Sequence, residues 1–153
     1  GNISPDPRVY AWRETFTHLV QPYTQLVVRN PCNNKYNALL RADVADGRLQ
    51  DGLEFTKAAL KRAQRLLRSK DYQMIKPCSL VIANLEIIDP NKPALGTVQE
   101  LGWCRDIFNI PVIAIVGSEP GYYALHPFIV DCVSAQVETV EDAAEMTAQF
   151  FVE

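Results

Sequence analysis

"SLVIANL", residues 79–85, and "PVIAIVG", residues 111–117, are the two stretches that decide the fold class of this chain. Each is a continuous apolar run of strand length, as expected for a strand whose two faces are both covered. The stretch between them, "TVQELGWCRDIF", is predicted to be a helix. A strand, a helix and a second strand are the unit of a parallel sheet with right-handed crossovers.

The segments on either side continue this alternation of strands and helices. Upstream, a helix is predicted at 9–20, a short buried strand at "QLVV" (25–28) and a long helix at 53–75. Downstream, "AQVET" (135–139) is predicted to be a strand and 140–152 a final helix. Turn-forming residues predict loops or turns at "RNPCNNKYN" (29–37), "VADGRLQDG" (44–52) and "EPGYYALHP" (119–127).

This order of elements predicts one α/β domain over residues 1–153, with a flavodoxin- or Rossmann-like parallel sheet sandwiched by helices. The chain opens on a helix, whereas open α/β domains usually begin with a strand, so we expect the first strand of the fold to be absent from this sequence. Ligands of such sheets bind beyond the carboxyl ends of the strands. Two polar loops, 84–97 and 117–127, follow strands at that edge.

Composition and charge give no support to nucleic-acid binding, membrane insertion or metal binding. The net charge of −3 gives no support to a nucleic-acid-binding surface. No apolar run approaches the roughly 20 residues that span a bilayer, and no signal-peptide pattern is present, so we expect a cytoplasmic protein without a membrane partner. No cysteine pair has C-x-x-C spacing, and reduced thiols without a metal site are expected. The cysteines are Cys32, Cys78, Cys104 and Cys132.

Glu100 has two interpretations. With Thr97 it forms a T-x-x-E capping box, in which the two residues satisfy each other's backbone amides at the start of a helix. Alternatively, a carboxylate in a first helical turn beyond a strand end is stabilised as an anion and can attack an electrophilic sugar carbon. The spacing alone leaves both interpretations open.

The segment 80–116, "LVIANLEIIDPNKPALGTVQELGWCRDIFNIPVIAIV", resembles the nucleoside 2-deoxyribosyltransferase family and the related nucleoside 5′-monophosphate N-glycosidases. The shared pattern is a buried strand, an acidic loop, G-T-x-x-E-L-G-x-A and a strand of the form P-V-I. The positions in register are Gly96, Thr97, Glu100, Leu101 and Gly102, with Cys104 where alanine is usual. The resemblance implies an enzyme that needs no cofactor or metal.

The resemblance also implies roles for two carboxylates. Glu100 would be the nucleophile that attacks the anomeric carbon, and Asp71 would give a proton to the departing base. The glycosyl-enzyme intermediate forms through an oxocarbenium-like transition state, as in retaining glycosidases. A second base attacks it in a transferase and water attacks it in a hydrolase, and the sequence leaves that choice open.

Further site residues follow from the same resemblance. The opening stretch 1–16 is similar to a glycine-rich loop and first helix that hold the substrate, and a 5′-phosphate in the monophosphate-acting relatives. "ALHPF" (124–128) resembles the segment that completes a neighbouring subunit's site, which implies a homodimer or higher homo-oligomer. The substrate-binding residues implied are Gly1, Asn2, Ser4, Arg8, Gly96 and His126.

Two departures from the family pattern leave alternatives open. The family's active-site tyrosine would fall ahead of Gly1, and Ala94 stands where an aspartate is frequent, so Asp89 or Glu86 from the same loop would have to substitute. The enzyme hypothesis therefore competes with a non-catalytic nucleotide-binding protein of the same fold and with a purely structural protein. In the last case Asp71 would be an ordinary surface residue.

Overall fold

The computed structural model describes residues 7–48, 52–63, 66–86, 88 and 94–152. Within these ranges the chain forms eight α-helices, one π-helix and three β-strands. In chain order they are α1 (Arg8–Val20), α2 (Lys35–Ala45), α3 (Gly52–Ala63), α4 (Leu66–Ile75), β1 (Val81–Asn84), α5 (Leu95–Gly102), the π-helix (Trp103–Phe108), β2 (Val112–Ile115), α6 (Tyr122–Leu125), α7 (Pro127–Val130), β3 (Ala135–Val137) and α8 (Val140–Phe151).

The three strands form a parallel sheet in the order β1-β2-β3. Val81 pairs with Val112 and Asn84 with Ile115, so the two central apolar runs of the sequence lie side by side in register. On the other edge of β2, Ile115 pairs with Val137 of β3. The predicted α/β class with a parallel sheet is therefore confirmed.

Helices cover both faces of the sheet. Because β2 is apolar at every position, both of its faces need such cover. Ile113 and Ile115 point to one face, where they pack with Phe16 of α1 and Ala143 of α8. The alternate residues, among them Val112, point to the other face and pack in a second cluster with residues of α5 and the π-helix. Alternation of side chains across the strand turns one continuous apolar run into two separate cores.

The predicted strand at 25–28 is not formed. The segment runs without sheet pairing, and Val27 is 81% exposed. A strand needs an edge to pair with, and within the described residues this segment is hydrogen-bonded to no strand of the sheet. The segment therefore has the composition of a strand but does not form one in the described structure.

Three other expectations are corrected in detail. The long helix predicted at 53–75 is observed as α3 and α4. The region 29–52 contains α2, which begins where Asn34 caps it by accepting a hydrogen bond from the Asn37 amide at 3.0 Å. The predicted loop at 119–127 includes α6 and the start of α7. None of the described helices is both long and apolar enough to cross a bilayer.

Candidate functional site

Glu100 lies in the second turn of α5 and does not cap it. The helix begins at Leu95 with Ala94 at the N-cap, and no side chain caps it. The interpretation of Thr97 and Glu100 as a capping box is therefore wrong. The physical reason is that the helix starts three residues before Thr97 would allow: the Ala94 carbonyl accepts from the Val98 amide at 3.0 Å, so Thr97 lies inside the first turn. The buried Ala94 amide donates to Tyr123 Oη at 2.9 Å.

Asp71 lies in α4 with its side chain only 16% exposed, so it is not an ordinary surface residue. Its Oδ1 is buried and forms no hydrogen bond of regular geometry with the described residues. Lys70 Nζ lies 3.1 Å from this oxygen, which makes the contact an ion pair of adjacent side chains. Lys70 Nζ also donates to the Pro31 carbonyl at 3.0 Å, and this second bond fixes the ammonium beside the carboxylate.

One cavity of about 500 Å³, here called the β1 cavity, is lined by both Asp71 and Glu100. Thr97 and Asn84, the last residue of β1, also line it. Its other walls are mostly apolar and come from α1, from 25–31 and from β1 itself. A mostly apolar cavity of this size with a few converging polar groups is the usual form of a small-molecule site.

An aromatic ring from α1 forms part of the cavity wall. Trp12 is half-buried, and its Nε1 is buried without a hydrogen-bond partner among the described residues. Arg13, also in the wall, places its guanidinium carbon 4.5 Å from the centre of the Trp12 ring. The cavity wall therefore includes an aromatic ring, whereas the buried Nε1 of that ring is not exposed to a ligand.

The cysteine nearest to Glu100 in sequence is not available as a nucleophile. Cys104 follows Glu100 by one helical turn and is fully buried. Burial, and then the Glu100 carboxylate, raise the pKa of the Cys104 thiol from 9.0 to about 12. A thiol with such a pKa is neutral at physiological pH, and nucleophilic attack requires the thiolate. Cys104 is therefore not a candidate nucleophile.

The remaining predicted site residues do not join this pair in the described part of the chain. Arg8 begins α1 and Gly96 lies in the first turn of α5, both exposed, and neither lines the β1 cavity. His126 lies between α6 and α7, with its ring 5.4 Å from that of Tyr122 and outside the cavity. The other predicted residues, Gly1, Asn2, Ser4 and Asp89, lie outside the described residues.

A second, polar cavity of about 400 Å³ adjoins the first and was missed by the sequence reasoning. Arg29 and Asn30 line both cavities, while Tyr10 and Arg41 line the second one. The Arg41 guanidinium lies 3.8 Å from the Glu14 carboxylate and 5.1 Å from the centre of the Tyr10 ring. The asparagine-rich stretch 29–37 was the available signal, since it gathers polar side chains between two predicted elements.

Within the described ranges, no group of three or more histidine, cysteine, aspartate or glutamate side chains could hold a metal ion. All four cysteines are free. Comparison of the chain with protein-family models, with curated proteins and with solved structures found no match.

Proposed function

We propose that this chain cleaves or transfers the N-glycosidic bond of a deoxynucleoside or nucleoside, or of its 5′-monophosphate. Glu100 is the nucleophile and Asp71 the proton donor in this proposal. The observation that carries it is that these two carboxylates, from different helices, line one cavity of about 500 Å³. Ligand pockets commonly measure about 300–1,000 Å³, a range that accommodates a nucleoside or nucleotide.

The proposed chemistry needs only these side chains and the substrate. A Glu100 oxygen forms a bond to the anomeric carbon while the bond from that carbon to the base breaks, and Asp71 gives a proton to the base nitrogen. Water, or a second base, then attacks the anomeric carbon and releases Glu100 as a carboxylate. The proton of the attacking group returns to Asp71, which restores the enzyme. General acid–base catalysis of this kind contributes about 10²- to 10⁴-fold in rate.

The architecture supports the placement of this chemistry. We propose that the three strands and the helices on both faces are part of a flavodoxin- or Rossmann-like sheet. Asn84 ends β1 and lines the β1 cavity, so this part of the cavity lies at the carboxyl end of a parallel strand. Ligands bind beyond that end in folds of this class.

The walls suggest how a nucleotide would lie. We propose that the base stacks near Trp12 and that a 5′-phosphate reaches the adjoining polar cavity. Arg29 lies where the two cavities join, and a guanidinium binds phosphate through two parallel hydrogen bonds. Arg8, which the sequence favoured for the phosphate, does not line either cavity in the described part of the chain.

A homodimer is the proposed assembly. Exposed apolar side chains cluster on α6 and α7, where Tyr122 is 63%, Leu125 64% and Phe128 79% exposed. Contiguous apolar surface of this kind is typical of a contact between subunits. His126 lies within this patch, and in a two-fold dimer it would face the partner.

A non-catalytic nucleotide-binding protein is the second candidate. The ion pair between Asp71 and Lys70, at 3.1 Å, favours it because the ammonium contacts one oxygen of the carboxyl group that would have to donate the proton. Wild-type protein that binds a nucleotide and never releases its base would support this candidate.

The deciding experiment incubates the wild-type protein with deoxynucleosides and with their 5′-monophosphates and measures free base by chromatography. We expect base release by the wild type, none by Glu100→Gln, and a reduction of about 10²-fold or more for Asp71→Asn. Glu145→Gln is the matched control, because Glu145 is an exposed glutamate of α8 outside the cavity. Unchanged base release by Glu100→Gln would refute the nucleophile assignment.

A further inference from the structure

The two helices that carry the carboxylates of the candidate site are anchored very differently. Helix α4, which carries Asp71, has no residue that is buried as a whole, and Ile75 at its end packs only partly against the core. Helix α5 carries Glu100, and Leu101 in α5 and Cys104 in the π-helix that continues it are fully buried. The position of Asp71 relative to Glu100 therefore depends on how α4 is held against α5.

Two side chains of α4 contact α5 and the π-helix. Arg68 and Tyr72 are four residues apart, so they project from the same face of α4. Arg68 Nε donates to Gln99 Oε1 at 3.0 Å, and its guanidinium carbon lies 5.4 Å from the centre of the Trp103 ring. The centre of the Tyr72 ring lies 5.2 Å from that of Trp103, edge to face, and 4.9 Å from that of Phe108. We call these five residues the α4–α5 seam.

Each carboxylate of the candidate site is adjacent in sequence to a residue of the α4–α5 seam. Asp71 precedes Tyr72, and Glu100 follows Gln99. Neighbouring residues of a helix project about 100° apart, so a seam on one face leaves the adjacent carboxylate on the flank. Asp71 and Glu100 line the β1 cavity, whereas no seam residue lines either cavity in the described part of the chain. The seam can therefore fix the carboxylates without contacting a ligand there.

Trp103 is the fixed side of the α4–α5 seam. Its side chain is buried, and its amide donates to the carbonyls of Gln99 and Glu100, which joins it to the helical turn that carries Glu100. An edge-to-face aromatic pair is attractive beyond the burial of its surface. Removal of the Tyr72 ring would therefore release α4, while Trp103 and Glu100 stay with the core.

We propose that Tyr72 is a positioning residue: its ring, packed against Trp103, holds α4 so that the Asp71 carboxyl can give its proton to the departing base. This inference rests on the proposed function and adds to it a residue that touches no substrate. Misplacement of a reacting group by about 1 Å can lower a rate by about 10²-fold. Loss of the Tyr72 ring should therefore impair the step that Asp71 serves and spare the attack by Glu100.

The experiment compares two substrates that differ in their need for a proton. The base of 2′-deoxyguanosine must be protonated as its bond to the sugar breaks. The leaving group of 4-nitrophenyl 2-deoxy-β-ribofuranoside departs as a stable phenolate and needs no proton. Because partial unfolding lowers both rates by the same factor, the ratio of the two kcat values reports the placement of Asp71 and not the stability of the protein.

We expect Tyr72→Ala to lower kcat for base release by at least about tenfold, and to leave its KM and the release of nitrophenolate within about threefold of the wild type. Asp71→Asn should give the same pattern. Tyr72→Phe keeps the ring and should retain most of the wild-type rate. Tyr36→Ala is the matched control and should not change the ratio, because Tyr36 is a half-buried tyrosine of α2 that lines neither cavity.

A second variant decides the question if Tyr72→Ala does not fold. Arg68 is exposed, so Arg68→Met should leave the protein folded while it removes the contacts with Gln99 and Trp103. It should lower base release more than nitrophenolate release. A measurement without substrate follows the carboxyl carbon signals of Asp71 and Glu100 by NMR, and the Tyr72 and Arg68 variants should move only the first.

The results separate this inference from the proposed function. Equal loss of both activities in Tyr72→Ala, loss of neither, or an unmoved Asp71 signal would overturn the positioning role and leave the glycosidic chemistry intact. A wild type that releases neither base nor nitrophenolate would refute the proposed function, and the inference with it.

Discussion

The burial of Cys104 predicts a pH dependence of stability that can be measured. In the folded chain its side chain is fully buried, and its thiol pKa is raised from 9.0 to about 12, first by burial and then by the Glu100 carboxylate. The unfolded chain releases this proton near pH 9 and the folded chain retains it. Above pH 9 the folded state therefore binds more protons, and the free energy of unfolding falls as pH rises.

The size of the effect follows from the two pKa values. The contribution of Cys104 is fully present below pH 9 and decreases by about 1.4 kcal/mol per pH unit until pH approaches 12. At pH 10 about 1 kcal/mol has been lost, and the whole rise of the pKa from 9.0 to about 12 corresponds to about 4 kcal/mol. Burial also raises the pKa values of Cys78, Cys132 and Tyr10, so the wild-type slope alone would not isolate Cys104.

The assay is urea unfolding of the wild type and of Cys104→Ala at pH 8 and at pH 10. At pH 8 the variant should be less stable by about 1–2 kcal/mol, because a buried sulfur has been removed from a packed core. At pH 10 the wild type has lost part of the Cys104 contribution, so the difference between the two proteins should shrink by about 1 kcal/mol.

Thr147→Ala is the matched control, since Thr147 is buried, donates to the Ala143 carbonyl at 2.7 Å and does not titrate. Its deficit should be the same at both pH values. A Cys104→Ala deficit that is also the same at pH 8 and pH 10 would refute the argument that the fold holds this thiol neutral.

Two further predictions concern helix ends. Thr139→Ala should lower the free energy of unfolding by about 1 kcal/mol, because Thr139 and Asp142 form the capping box of α8. Thr97→Ala should change that free energy by less than about 0.5 kcal/mol, because Thr97 caps no helix. Urea unfolding of both variants measures the two changes, and equal losses would contradict the prediction. Tyr123→Phe should lower the free energy of unfolding by about 1–3 kcal/mol, because it leaves the buried Ala94 amide without its acceptor. An unchanged unfolding midpoint would show that this hydrogen bond does not stabilise the start of α5.

Elements defined by local composition could be predicted from the sequence. The runs that became β1 and β2 are apolar at nearly every position, so both could be predicted as buried strands, whereas the register that pairs Val81 with Val112 could not. The helix α8 was found because its apolar and polar residues alternate with helical periodicity after a turn. These signals lie within about a dozen residues, which is the range that sequence patterns cover.

Two errors show what sequence patterns do not contain. The T-x-x-[DE] pattern occurs at Thr97 and at Thr139, and only the second is a capping box. At α5 the N-cap is Ala94, whose amide donates to Tyr123, a residue 29 positions away that no local pattern contains. The segment 25–28 has strand composition, but composition does not supply a neighbouring edge, and the strand was not formed.

Some residues of the candidate site were predicted from the sequence and others were not. The pairing of Asp71 with Glu100 was implied by the family resemblance and corresponds to one shared cavity. Arg29 and Arg41 were not anticipated as wall residues, because they come from an irregular segment and from α2. Their convergence depends on how those elements pack, and no motif in the sequence records it.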